Sequence, residues 1–230
     1  MFASFSTARI LRCLFTIFED YSNRKISFTK DRPIAISGLE SSIAETLQCE
    51  SRYCTLHMFI HRNLLWSPSK EARGIARDET VPTWSWLSIL GPVEFDVDKI
   101  ASRGRGMNVH VTFSKNRPNA LSANLGAFLD CTLGLENGDC VFRNAHGVNI
   151  GYIWFDVDVG EKMNLNNIHC VVLFRSLRSC EDGLRGAPEK EYYDFMAVVP
   201  SGGEDEYMRV GRGGIFAECV IKVQENVYIV

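Results

Sequence analysis

No stretch of this 230-residue chain approaches the ~20 apolar residues that a membrane-spanning helix needs. No Asn-x-Ser/Thr sequon occurs in it, and no convincing secretory signal opens it, so nothing marks a secreted glycoprotein. A phosphate-cradling Gly-x-x-x-x-Gly-Lys-Ser/Thr loop, a Gly-x-Ser-x-Gly nucleophile elbow and any cysteine-protease signature are likewise missing. Charge is nearly balanced at −3, which gives no general case for nucleic acid as a partner. No period of 20–50 residues repeats, which excludes solenoids and propellers.

The composition is that of a folded core. Apolar residues make up 46% and aromatics 11%, enough for one large or two small globular domains. The eight cysteines are irregularly spaced, and Cys13, Cys131 and Cys170 sit inside apolar strings as small hydrophobes do. They read as reduced thiols of a cytoplasmic protein. Residues 1–18 hold Arg9, Arg12, four Ser/Thr and no acid, which is also the composition of a mitochondrial transit peptide. The simpler reading is an amphipathic helix with Ile10, Leu14, Ile17 and Tyr21 on one stripe. The one basic run, Lys99 to Arg117, has five cations and no acid. A solvated strand edge accounts for it more simply than a phosphate groove does.

Organisation changes near residue 80. In the first part, Ser37-Gly-Leu-Glu40 reads as a capping box opening a helix, with Leu39, Ile43 and Leu47 behind it and Pro33 keeping the approach extended. A second helix is predicted over Arg52–Leu64, with Tyr53, Leu56, Ile60 and Leu64 on one face. Ser67–Thr80 is charged and aperiodic, as a loop is. Beyond Val81, alternation over Asn108–Phe113, Tyr152–Val157, His169–Phe174 and Ala217–Val223 predicts strands. Turn clusters at Glu136–Asp139, Asn144–Gly147 and Pro200–Gly203 separate them. Ser179–Glu191 reads as a long loop. The expected fold is α+β: N-terminal helices (1–80) packed on an antiparallel β-sandwich or open β-barrel (81–230).

The most distinctive string is Val81-Pro-Thr-Trp-Ser-Trp-Leu-Ser-Ile-Leu-Gly-Pro-Val93. In an extended strand Trp84 and Trp86 would share a face and Ser85 would point away, before Gly91-Pro92 ends the strand. This string resembles the P-S-W-S-W-A-S-x-x-G-P-V/I signature found downstream of the HET domain in fungal heterokaryon-incompatibility proteins. Four further segments resemble that family in the same order. They are Asp20 to Leu39, Leu64-Leu-Trp66, Glu206-Tyr-Met-Arg-Val-Gly211 with Ile215-Phe216, and the apolar end Val227-Tyr-Ile-Val230. The family's HET domain carries a motif like S-Y-x-W-G, which nothing here matches, and nineteen residues precede Asp20.

Chemistry-bearing clusters are sparse. On a helix, Cys54, His57 and His61 would fall on one stripe near Cys49, and a thiolate with two imidazoles suits zinc. Structural zinc sites usually pair short cysteine knuckles, however, and the family-like neighbourhood is ordinary there, so neither metal nor cofactor is expected. Asp156 and Asp158 share a strand face, as a solvated rim does more often than an acid/base pair. Gly104-Arg-Gly106 and Gly211-Arg-Gly-Gly214 read as turns or bulges, with a local loop at the second.

The resemblance implies a non-catalytic regulatory or recognition region of a HET-type protein, acting in fungal non-self recognition and programmed cell death but without the effector domain. A protein partner follows from that, with no catalytic residues, and Trp66, Trp84, Trp86, Gly91 and Pro92 as its structural motif. The alternatives are a small metal protein or enzyme using Cys54, His57 and His61, and a truncated gene product without a function of its own.

Overall fold

The computed structural model describes residues 7–24, 31–72, 76–96, 110–136, 139–156, 165–179 and 189–230. The chain opens with helix α1, Thr7–Ser22, which contains neither Gly nor Pro. Its buried stripe is Leu11, Leu14, Phe15 and Phe18, rotated from the expected one; Ile10, Ile17 and Tyr21 flank it half-covered. Phe15 stacks on Phe95 at 4.4 Å between ring centroids, and Phe18 lies 5.4 Å from Trp86. The aromatic partners lie to one side of the helix, and that pulls the heavier Phe15–Phe18 edge inward.

Helix α2, Arg32–Leu47, starts before the predicted cap. Pro33 sits in its first turn, where a missing N–H costs nothing. Ser37 is therefore inside the helix and donates back to Ile34 O at 2.7 Å. Glu40 does not close a capping box; it accepts from Ser51 Oγ at 2.5 Å and from Cys54 N at 2.8 Å.

The helix predicted over Arg52–Leu64 is not formed. Strands β1 (Ser51–Arg52) and β2 (Thr55–Leu56) make a hairpin on Tyr53 and Cys54, both left-handed at φ 50° and 57°. A 3-10 turn over His57–Phe59 and the short helix α3, Ile60–Asn63, follow. The Glu40 carboxylate on one side and Asn63 on the other, accepting from Leu56 N at 3.0 Å, hold the hairpin. Leu56, Ile60 and Leu64 are still buried, so their spacing reported burial correctly and helix incorrectly.

Strand β3 (Trp66–Pro68) pairs antiparallel with β4 (Val93–Phe95), Trp66 opposite Phe95. Ser67–Thr80 is thus not all loop, since it begins inside a strand. Nine strands then share one sheet: β5 (Val111–Phe113), β6 (Leu121–Phe128), β7 (Cys131–Glu136), β8 (Asp139–Asn144), β9 (Asn149–Phe155), β10 (His169–Ser179), β11 (Glu189–Pro200), β12 (Glu206–Phe216) and β13 (Val220–Ile229). The pairings β11–β10–β6–β13–β12 return to β11 and close a circuit, so of the two expected forms the sheet takes the barrel, closed rather than open. One link, β12 with β13 at Glu206–Tyr228 and Tyr207–Ile229, is parallel; the others are antiparallel. β9, β8 and β7 extend from β12 as a meander.

Residues predicted as loop partly join this sheet. Ser179 pairs with Glu189 and Leu177 with Glu191, while 180–188 lie outside the described residues. Gly104–Gly106 and Asp158 also lie outside them, as does the basic run as far as 109. Gly211–Gly214 is strand interior, not a loop. A Cβ on Gly211 would stand 2.4 Å from Trp154 O, and one on Gly213 2.3 Å from Tyr152 O. Glycine is required there because β9 lies too close for any side chain. In the β11–β12 pairing the register shift falls just before, between the Ala197 and Val198 pairings.

Alternation along β10 and β11 divides the interior in two. Val171, Leu173, Met196 and Val198 join α1, α3 and Trp66, Trp84 and Trp86 in one core. Cys170, Phe195 and Ala197 face the other, with Phe142, Ile153 and Ile215. The first core draws on residues from both sides of position 80. No helix among the described residues is long and apolar enough to cross a membrane.

Candidate functional site

The densest polar constellation lies under the Trp-Ser-Trp segment, and Arg209 is its centre. β12 carries Arg209 into the first core with its side chain wholly enclosed. Nε donates to Asp156 Oδ2 at 2.8 Å and Nη2 to Asp156 Oδ1 at 3.2 Å. Nη1 donates to Leu64 O at 2.7 Å and Nη2 also to Trp66 O at 2.6 Å. The guanidinium carbon sits 3.5 Å over the Trp66 ring. A buried guanidinium is tolerable only when its donors and charge are answered in this way. Burial pulls Arg209 below its ordinary value, and the Asp156 carboxylate opposes that pull.

Arg77 binds the same carboxylate from the solvent side, Nη2 to Asp156 Oδ2 at 3.0 Å, and reaches Thr83 O at 3.2 Å. Thr83 Oγ1 accepts from Arg209 N at 2.9 Å and donates to Val230 O. One carboxylate thus joins two arginines drawn from segments far apart in the chain. Asp156 is fully buried, so it is a structural anion and not the solvated rim expected of it.

Trp84 and Trp86 are both fully buried, but not on an extended strand. Ser85 stands at the start of a 3-10 turn over Trp86–Ser88 and accepts from Leu87 N at 3.1 Å. The turn sends the two indoles to different neighbours. Trp84 meets Tyr53 edge-on and donates to Asn119 O at 3.2 Å. Trp86 meets Phe18 and Tyr21, and Arg32 lies 5.5 Å over its ring. Pro82 and the Ser85 hydroxyl favour a turn over the extended strand expected here, and a turn buries two such side chains as completely as a strand does. Trp66 Nε1 donates to Trp84 O at 3.1 Å, which ties the third indole in. Beyond the turn, Arg32 donates to Ile89 O and, at 3.4 Å, to Gly91 O. Pro92 O accepts from Ser69 N at 3.0 Å.

Cys54, His57 and His61 do not converge. Cys54 is buried in the hairpin turn, its thiol raised well above the ordinary value by burial and then by Glu40, whose carboxylate is 3.7 Å away. His57 Nε2 lies 3.1 Å from Thr112 Oγ1. His61 stacks on Phe174 with ring centroids 6.2 Å apart; burial, aided by the Arg62 charge, lowers it to about 4. The turn at Tyr53–Cys54 breaks the helical spacing that would have aligned them. Among the described residues, no three Cys, His, Asp or Glu side chains gather as a ligand set.

Arg32, Arg77 and Arg209 were not singled out from the sequence. An arginine in an alternating strand ordinarily reads as exposed. Arg32 and Arg209 do each fall in a family-like segment, Asp20 to Leu39 and Glu206 to Gly211, and that is a signal that could have pointed to them. Comparison with protein-family models, curated proteins and solved structures finds no match to this chain.

Proposed function

We propose that this chain is a recognition and regulatory region of the HET-type incompatibility kind, working through a protein partner and without catalysis of its own. The observation that carries the reading is where its family-like segments meet. Arg32 of the first meets Trp86 and Gly91 of the third. Trp66 of the second, Trp84 of the third, Arg209 of the fourth and, through Thr83, Val230 of the last are joined by hydrogen bonds, and the three indoles share one core. Segments that are distant in sequence and alike in one family would be selected together if they build one scaffold.

The same geometry favours scaffolding over turnover. Arg209 and Asp156 are enclosed and face backbone carbonyls and each other. A site that must bind and release substrate needs polar groups left free to do so.

Expression in fungal cells together with a HET-domain effector tests this reading. The expected result is co-purification of the two and a lower rate of effector-triggered death. A chain that neither binds the effector nor changes the death rate overturns it.

A further inference from the structure

The outer wall of the barrel holds a cavity of about 270 Å³ that the tryptophan core does not use. It crosses four strands, between Asn124 and Gly126 of β6, Arg175 of β10, Tyr193 of β11 and Lys222 of β13, with His110 at its edge. The topology makes the hollow. β10 stays paired with β6 only at His169–Ala127 and Cys170–Gly126. From Ala123 backward the same edge of β6 is taken by β5, so the wall forks at Asn124 and Leu125. A smaller cavity of about 200 Å³ continues past His110 and Asn124 toward Thr112.

The lining has one sign. Among the described residues around the larger cavity, Arg175 and Lys222 are cationic and no carboxylate lines it. Asn124 and Tyr193 add an amide and a hydroxyl. Arg175 Nε is buried and has no hydrogen-bond partner. Arg175 has a carboxylate neighbour, Glu191, but at 3.6 Å with both side chains more than a third exposed. Lys222 pairs with Glu225 on the rim, each more than half exposed. Exposed pairs of this kind contribute little and yield readily to a better-placed anion.

We propose that this cavity binds a small molecule carrying a phosphate or carboxylate group. The guanidinium of Arg175 offers its two terminal nitrogens to two oxygens of such a group. Lys222 supplies the second charge, and Asn124 with Tyr193 orients the rest of the ligand. The site is independent of the HET-type reading and stands or falls separately from it.

Thermal unfolding of the purified chain with inorganic phosphate or with succinate, at ionic strength matched by sodium chloride, tests the proposal. At least one probe should raise Tm by several degrees at millimolar concentration, and the stronger of the two identifies the headgroup. Arg175→Gln and Lys222→Gln should each weaken binding at least tenfold, whereas Arg143→Gln, paired with Glu136 on the distant β7–β8 hairpin, should leave it unchanged. If Arg175→Gln does not fold, Lys222→Gln alone decides. No shift beyond the chloride control with either probe, or an undiminished shift in the folded variants, overturns it.

Discussion

Arg209 and Asp156 are joined by two hydrogen bonds, 2.8 and 3.2 Å long, with neither side chain exposed to solvent. Replacing Arg209 by Met keeps most of the unbranched stem and removes the guanidinium with its charge. Asp156 is then left to Arg77 alone, and the carbonyls of Leu64 and Trp66 lose their donors. The expected loss is about 3–5 kcal/mol in urea unfolding, the range for breaking one side of a buried pair. Arg209→Met with Asp156→Leu should cost less than the sum of the two single changes. Strict additivity would mean that the pair is not coupled.

The tryptophans differ in what their N–H groups do. Trp66 Nε1 has Trp84 O as its acceptor, whereas Trp86 Nε1 is buried without one. Trp86→Ala should still cost about 3–5 kcal/mol, because a fully buried ring is removed. Trp86→Phe, by contrast, relieves an unsatisfied donor. Trp66→Phe leaves Trp84 O unanswered, and should be the more harmful Phe change by about 1–3 kcal/mol. Equal midpoints for the two Phe variants in chemical denaturation would refute this.

Two glycines on neighbouring parts of one sheet should answer alanine in opposite ways. At Gly213 the new Cβ would lie 2.3 Å from Tyr152 O and 2.6 Å from Phe195 Cζ, so β9 and β12 must separate. At Gly134 on β7 there is nothing within 4 Å, and loss of backbone freedom in the unfolded chain makes alanine neutral or stabilising by roughly 0.4–1 kcal/mol. Amide exchange across β9–β12 should rise in the first variant and stay unchanged in the second.

Acid should act through His61. Its folded value of about 4 lies below the ordinary ~6.5, so the unfolded chain takes up the proton first as pH falls. The stability this supplies is complete above about pH 6.5 and is lost as pH drops toward 4. His61→Phe keeps a ring against Phe174 and removes the titration. Urea midpoints at pH 7, 5.5 and 4.5 should fall less steeply in the variant than in the parent, and parallel declines would exclude His61 as the cause.

The β-rich architecture and its turns were legible because alternation and Gly-rich turns are local signals. Asn144–Gly147 and Pro200–Gly203 do turn, with Gly147 and Gly202 at positive φ. Helix α1 was legible for the same reason. What misled was apolar spacing with more than one geometric solution. Leu56, Ile60 and Leu64 satisfy a helix, but a hairpin followed by one turn buries them equally well. Ser37 and Glu40 match a capping box, yet Pro33 offers an earlier start and the Glu40 carboxylate has a better use at Cys54. The role of Arg209 was beyond reach, since its partners come from Leu64, Trp66 and Asp156, and no local pattern encodes an encounter across such distances in the chain.

The circuit of the barrel also sets an order of assembly. Strand β6 has β13 along one edge, from Phe128–Val220 to Leu121–Ile229, and β10 on part of the other. Only the three-residue β5 precedes it; β13 and β10 follow it in sequence, so on a translating ribosome β6 emerges long before either exists. Its apolar positions, Leu121, Ala123 and Leu125, must wait while the whole β7–β12 stretch is made. Contacts this distant in sequence close slowly, which exposes the nascent chain to aggregation until β13 arrives. Holdase chaperones should therefore engage this protein around β6 during synthesis and leave it only when the last strand has docked.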